Sequence, residues 1–158
     1  MEDKNPSFVK RIGIAATVVS LAGGSIALWN QLKPVEELPD LTGRWTITNT
    51  VTSSAGGQYD GEEYVYSVGV LQDEKGGLSG EGEQTLYNGK PARSRFPVSL
   101  HSGKHSDAQV MANFKIQGNR EFTGTLWLTR NENDPKRLAG TFEYTAGGTK
   151  GTTEVTIK

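Results

Sequence analysis

From residue 41 onward, apolar and polar positions alternate with a period of two, and they do so in eight separate runs. Trp45, Ile47 and Val51 alternate with Arg44, Thr46, Thr48 and Thr50. Tyr64, Tyr66, Val68 and Val70 form a second apolar face, and a glycine-rich third run extends from Leu78 to Leu86. Phe96, Val98 and Leu100 follow, then Val110, Ala112, Phe114 and Ile116, then Phe122, Leu126 and Leu128. Leu138, Phe142 and Tyr144 make the seventh face, and Val155 with Ile157 the eighth. In an extended chain successive side chains point to opposite faces, so each run predicts a strand with one buried side. Turn signals separate the runs: Gly76-Gly77, Asn88-Gly89, Asn131 to Pro135 and Gly147-Gly148.

A short signature recurs inside this pattern: Leu41-Thr-Gly43, Leu78-Ser-Gly80, Phe122-Thr-Gly124 and Leu138-Ala-Gly140. The apolar residue and the glycine two positions later share a face. A missing side chain there lets the sheet coil sharply or a neighbour lie across it. Repeated around the domain, such glycines favour closure into a barrel, which also removes exposed sheet edges. The expected fold is therefore all-β, a small eight-stranded antiparallel barrel of lipocalin or avidin size over residues 41–158. A two-sheet sandwich is the alternative.

The N-terminal part follows a different rule. Ile12 to Trp29, IGIAATVVSLAGGSIALW, runs eighteen residues without a charge. As a helix it would reach about 27 Å, close to the hydrocarbon thickness of a bilayer. Lys10 and Arg11 stand before it, Trp29 and Lys33 at its other end, as interfacial anchors do. The expectation is a short tail (1–11), one transmembrane helix (12–29), a spacer (30–40) rich in proline and acids, and the barrel. A cleaved signal peptide competes, with Ser25-Ile26-Ala27 as the small-x-small site, but the apolar run exceeds the usual length of such a core. Ala16, Ser20 and Gly24 recur every four residues, a spacing that lets helices approach closely and predicts a homo-oligomer through the membrane segment. The predicted location is the inner (cell) membrane, single-pass. The Lys/Arg bias favours an inside N-terminus and an outside barrel.

Composition removes several chemistries. Cysteine is absent, so there are no disulfides, thiol nucleophiles or cysteine metal sites. No G-x-S-x-G, no phosphate-binding loop and no nucleophile–base set is present. Glu62 and Glu63 are sequence neighbours that a strand would point to opposite faces. His101, His105 and Asp107 do not form a convergent ligand set if Ser102-Gly103 is a turn. The expectation is a protein that is not an enzyme and that uses no metal and no cofactor. Net charge is −1, which does not suit a long nucleic acid. The charges are nevertheless segregated: nine basic residues and four acids lie between Lys90 and Arg137, while Asp60 to Glu83 is acidic. Within the basic region Arg93 and Arg95, two apart, are read as sharing a strand face with Ser99 and His101. Two guanidiniums on one face can clamp phosphate or carboxylate oxygens. Trp127, between Thr125 and Thr129 on a polar face, is a candidate stacking surface. Arg93, Arg95, His101 and Trp127 are thus the candidate contacts for a small anionic ligand.

An apolar N-terminal segment followed directly by a compact, glycine-rich, eight-stranded barrel resembles the minimal membrane effectors of bacterial antiphage systems. The likeness runs from IGIAATVVSLAGGSIALW to the closing LAGTFEYTAGGTKGTTEVTIK. These effectors include the β-barrel receptors of cyclic-oligonucleotide (CBASS-type) signalling and CRISPR-associated membrane effectors. The resemblance implies a cyclic nucleotide bound in the barrel, oligomerisation through the membrane segment, and disruption of the inner membrane. It also implies a cytosolic barrel, opposite to the orientation the Lys/Arg bias favours, and the familiar barrel members carry two spans where this chain has one. The alternative is a periplasmic lipocalin- or avidin-like module that binds an apolar ligand or a protein partner, or a structural subunit of a membrane complex.

Overall fold

In the computed structural model, residues 38–106, 108–145 and 148–158 are described. The segment Ile12–Trp29, with its Ala16, Ser20 and Gly24 face, lies outside the described residues. Among the described residues no helix is long and apolar enough to cross a membrane.

The alternating runs become β1 (Gly43–Ser53), β2 (Glu63–Gln72), β3 (Gly77–Tyr87), β5 (Pro97–His105), β6 (Gln109–Gln117), β7 (Glu121–Asn131), β8 (Asp134–Tyr144) and β9 (Lys150–Ile157). A two-residue β4, Lys90–Pro91, folds back on β3 across the Asn88-Gly89 turn. Both turn residues have positive φ, 48° and 71°, as the tight turn signalled by Asn-Gly requires. Every long strand pairs antiparallel with its successor in the chain, and β9 returns to pair with β1. The eight long strands therefore close into an up-and-down barrel, and the sandwich alternative is excluded.

Closure depends on the glycines. A Cβ added at Gly80, Gly124 or Gly140 would stand 2.6, 2.5 or 1.9 Å from a backbone oxygen of the neighbouring strand. The Gly of each of these triplets thus marks a place where two strands approach closer than any side chain permits. Alternation buries one residue in two along most strands, as in β9, where Gly151, Thr153, Val155 and Ile157 face inward. The interior is filled by side chains, with Trp45, Phe142, Leu126 and Leu138 the largest of those almost wholly removed from solvent. One polar pair sits among them: the Thr153 hydroxyl donates to Asn49 Oδ1 at 2.7 Å, in a buried position, which satisfies both groups.

Antiparallel winding gives the barrel two unlike ends. At the base, Leu41 covers the interior, and its carbonyl accepts the indole N–H of Trp45 at 2.8 Å. Leu41 is itself held by a hydrogen bond from its N–H to Gln72 Oε1, 2.8 Å. The base also carries the β2–β3 turn, where Asp73 Oδ1 accepts from the N–H groups of Lys75 and Gly77. These bonds stabilise the ionised carboxylate and hold its pKa below the ordinary value. The opposite end is formed where β1, β3, β6 and β8 finish and β2, β5, β7 and β9 begin.

Two local readings of the sequence are corrected. Arg93 and Arg95 are not on a strand with Ser99 and His101, because β5 begins only at Pro97. Pro91 and Pro97 bound that stretch; a proline lacks the ladder N–H and constrains the residue before it, so the chain bends at Arg93 and Ser94 instead of pairing. Ser102-Gly103 is not a turn but an irregularity inside β5, where the pairing with β6 slips between His101 and Lys104. Gly103 accommodates it by lying against Leu78 of β3.

Candidate ligand site at the tyrosine rim

The end opposite the base is aromatic, and the register of the strands explains why. Tyr64 is the second residue of β2, Tyr87 closes β3, Phe122 is the second residue of β7 and Tyr144 closes β8. Phe96 precedes β5 directly and is half-buried against the core. One slip in the ladder sets the arrangement. Val65 lies opposite Leu86, yet Tyr66 lies opposite Gln84, so Thr85 is left over as a bulge. Its hydroxyl donates to the Val65 carbonyl at 3.2 Å. The extra residue turns Tyr87 from the outer to the inner side, opposite Tyr64. The Asn88-Gly89 turn fixes it there: Asn88 exchanges hydrogen bonds with the Glu63 backbone, donating at 2.8 Å and accepting on its side chain at 2.7 Å.

Two phenols meet one carboxylate at this rim. The Tyr64 hydroxyl donates to Glu62 Oε2, and the Tyr87 hydroxyl to Glu62 Oε1 at 2.5 Å. The two rings stand 5.2 Å apart, tilted by 43°. Deeper in, the hydroxyls of Tyr66 and Tyr144 lie 3.4 Å apart. The Tyr144 ring packs edge-on against Phe114 and Phe142 at 5.4 Å, and lies tilted against Phe122 at 5.9 Å. Tyr87 and Phe122 keep 39% and 43% of their surface exposed, so a ligand can reach the rings from outside.

Burial raises the phenol pKa of Tyr64 well above the ordinary value, with the hydrogen bond to Glu62 acting in the same direction. Burial does the same for Tyr66 and Tyr144, and the bond to Glu62 is the main cause for Tyr87. These groups are therefore neutral donors and stacking faces at ordinary pH, not phenolate bases. A raised folded-state pKa contributes stability that is fully present below the unfolded phenol value of about 10 and is lost as pH rises toward the folded value. The urea midpoint is accordingly expected to fall between about pH 9 and about pH 12. Phenolate absorbance from Tyr64, Tyr66 and Tyr144, whose shifts come first from burial, should appear only with unfolding. Full ionisation of all tyrosines near pH 10 with an unchanged midpoint would contradict the arrangement.

The residues singled out from the sequence do not assemble into one site. Arg93 and Arg95 are exposed and belong to the stretch leading into β5, at the rim end. Arg95 Nη1 is already paired with Glu83 Oε1 at 2.8 Å, an exposed bridge of small net worth. His101 and Trp127 lie on the outer wall with β6 between them. His101 faces Asn113, and Trp127 is paired with Met111, itself exposed. Of the rim residues, Tyr87 was not singled out from the sequence, and Glu62 was read only as one of two neighbouring acids on opposite faces. The signal for them was that Tyr64, Tyr87 and Tyr144 all abut turns that an up-and-down winding gathers at one end. A shallow groove of ≈ 310 Å³ near the base, lined by Leu71, Gln72, Asp73, Leu78 and Ser79 among others, offers less. Its one carboxylate is occupied by the turn that holds it.

The winding and the filled core define a small up-and-down β-barrel. No protein-family model and no curated protein matches the chain. Among solved structures the chain is similar to a redesigned β-barrel, mFAP1, bound to DFHBI. The TM-score is 0.56 at 14% identity, over 75% of this chain and 94% of that one. At that identity the likeness shows the fold.

Proposed function

We propose that this protein is a non-enzymatic binding barrel that holds a flat, anionic ligand against its tyrosine rim. In its fullest form the ligand is a cyclic oligonucleotide. The segment Ile12–Trp29 then places the protein at the inner membrane and carries the response, by self-association through Ala16, Ser20 and Gly24 and disruption of the membrane in antiphage defence.

The observation that carries this reading is the gathering of exposed and half-buried aromatic rings at one end of an otherwise filled barrel, with Arg93 and Arg95 at the same end. Bases stack on such rings at about 1–3 kcal/mol each, and guanidiniums bind phosphate. The similar redesigned barrel, mFAP1, is bound to DFHBI, a precedent for ligand binding at the level of the fold. A module carrying an apolar ligand inside the lumen has less support, because Trp45, Phe142 and Leu126 occupy that space.

Calorimetry of the full chain against cyclic di- and trinucleotides tests the proposal. Saturable binding is expected, weakened about tenfold or more by Tyr87→Ala, the loss of one stacking ring. Arg93→Ala combined with Arg95→Ala should weaken it further and flatten its salt dependence. If no cyclic nucleotide binds, the proposal is wrong.

A further inference from the structure

We infer that Glu62 is the specificity-determining residue of the rim, selecting ligands whose ring edge presents two adjacent N–H donors, as guanine does. The inference rests on the binding function proposed above and deepens it. Each oxygen of the Glu62 carboxylate accepts one phenol, Oε2 from Tyr64 and Oε1 from Tyr87. A carboxylate oxygen has a second lone-pair site, so each keeps one acceptor position open. The two phenols also hold the carboxylate in a single orientation beside the tilted Tyr64 and Tyr87 rings. A group fixed in this way gives up little freedom when a ligand arrives.

A ring stacked on these tyrosines brings its edge to the carboxylate. Guanine offers its ring N–H and its exocyclic amine side by side, which matches two parallel acceptor oxygens and forms charge-assisted bonds. Adenine sets a ring acceptor beside its amine, so one carboxylate oxygen would face a lone pair. A site built to accept hydrogen bonds rejects a ligand that leaves it unpaired far more strongly than an apolar pocket rejects a change of size. Arg93, exposed at the same end of the barrel, supplies attraction to phosphate that is the same for both bases and so carries no selectivity.

The experiment uses the full chain, with cyclic di-GMP and cyclic di-AMP as probes, in the wild type and in Glu62→Gln. The expected result is a preference for the guanine ligand of about tenfold or more, which Glu62→Gln abolishes while still binding a cyclic dinucleotide. A thermal melt of the variant without ligand establishes that it is folded. Equal affinity of the wild type for both probes, or a preference for the adenine ligand, overturns the inference but leaves ligand stacking at the rim intact. So does an equal loss of both affinities in Glu62→Gln, because Glu62 would then merely hold the tyrosines. Binding of neither probe to the wild type overturns this inference, and the proposed function falls with it when no cyclic trinucleotide binds either.

Discussion

Gly140→Ala is expected to lower the stability of the barrel by about 2–4 kcal/mol, the range of severe overpacking and backbone displacement. An added methyl at this position would lie 1.9 Å from the Trp127 carbonyl oxygen and 2.9 Å from the Leu128 Cα. Those atoms are backbone, held in the β7–β8 ladder by the pairing of Leu128 with Gly140, and no rotamer change can relieve the contact. The strands must move apart, and because the barrel is closed the displacement is passed on to β6 and β9. Urea unfolding provides the measurement, through the midpoint. Gly148→Ala makes the informative comparison: an added methyl there meets nothing within 4 Å, so its cost comes only from a φ of +59°. A wild-type midpoint for Gly140→Ala would mean that the close strand approach is not what shapes the barrel.

The second large effect is at the base. Trp45→Ala is expected to cost about 3–5 kcal/mol, as for other large aromatic residues deleted from a core. Trp45 is fully buried, and its ring fills the base of the interior. Its indole N–H also satisfies the carbonyl of Leu41, the residue that covers that end. The substitution therefore leaves a cavity and an unpaired carbonyl together. Trp127→Ala is the internal control, since Trp127 is 44% exposed on the outer wall and its removal should shift the midpoint only slightly. Near-ultraviolet circular dichroism follows the two indoles, and equal losses from the two variants would contradict this difference in environment.

The fold was legible because its determinants are local and repetitive. Alternation marked eight faces, Asn88-Gly89 marked a turn by backbone conformation, and the apolar-x-Gly triplets marked the tight approaches that closure needs. The candidate site was less legible, for a reason visible at Thr85. One unpaired residue in β3 reverses the facing of Tyr87, and no composition or period shows where a ladder will slip. Glu62 suffered the same way. Read as one of two neighbouring acids on opposite faces, it proves to precede β2, where backbone bonds with Tyr59 and Val51 place it and two phenols orient its carboxylate, not strand alternation. Arg93 and Arg95 show the converse error. Their spacing suits a shared strand face, but Pro91 and Pro97 withdraw the stretch from the sheet, and Glu83 claims one of the two charges.

The seam between β1 and β9 has a mechanical consequence. The chain enters and leaves the barrel at the base, where Arg44 and Lys158 exchange backbone hydrogen bonds of 3.1 and 3.0 Å. The two strands run antiparallel from there, and their bonds lie perpendicular to the strand direction. Tension drawn between Gly43 and Lys158 therefore loads these rungs one at a time, beginning at the base, and never all together in shear. A ring that heat must melt as a whole parts like a zip when pulled by its own ends. The pairing of Ser53 with Lys150, at the far end of that seam, feels the pull last.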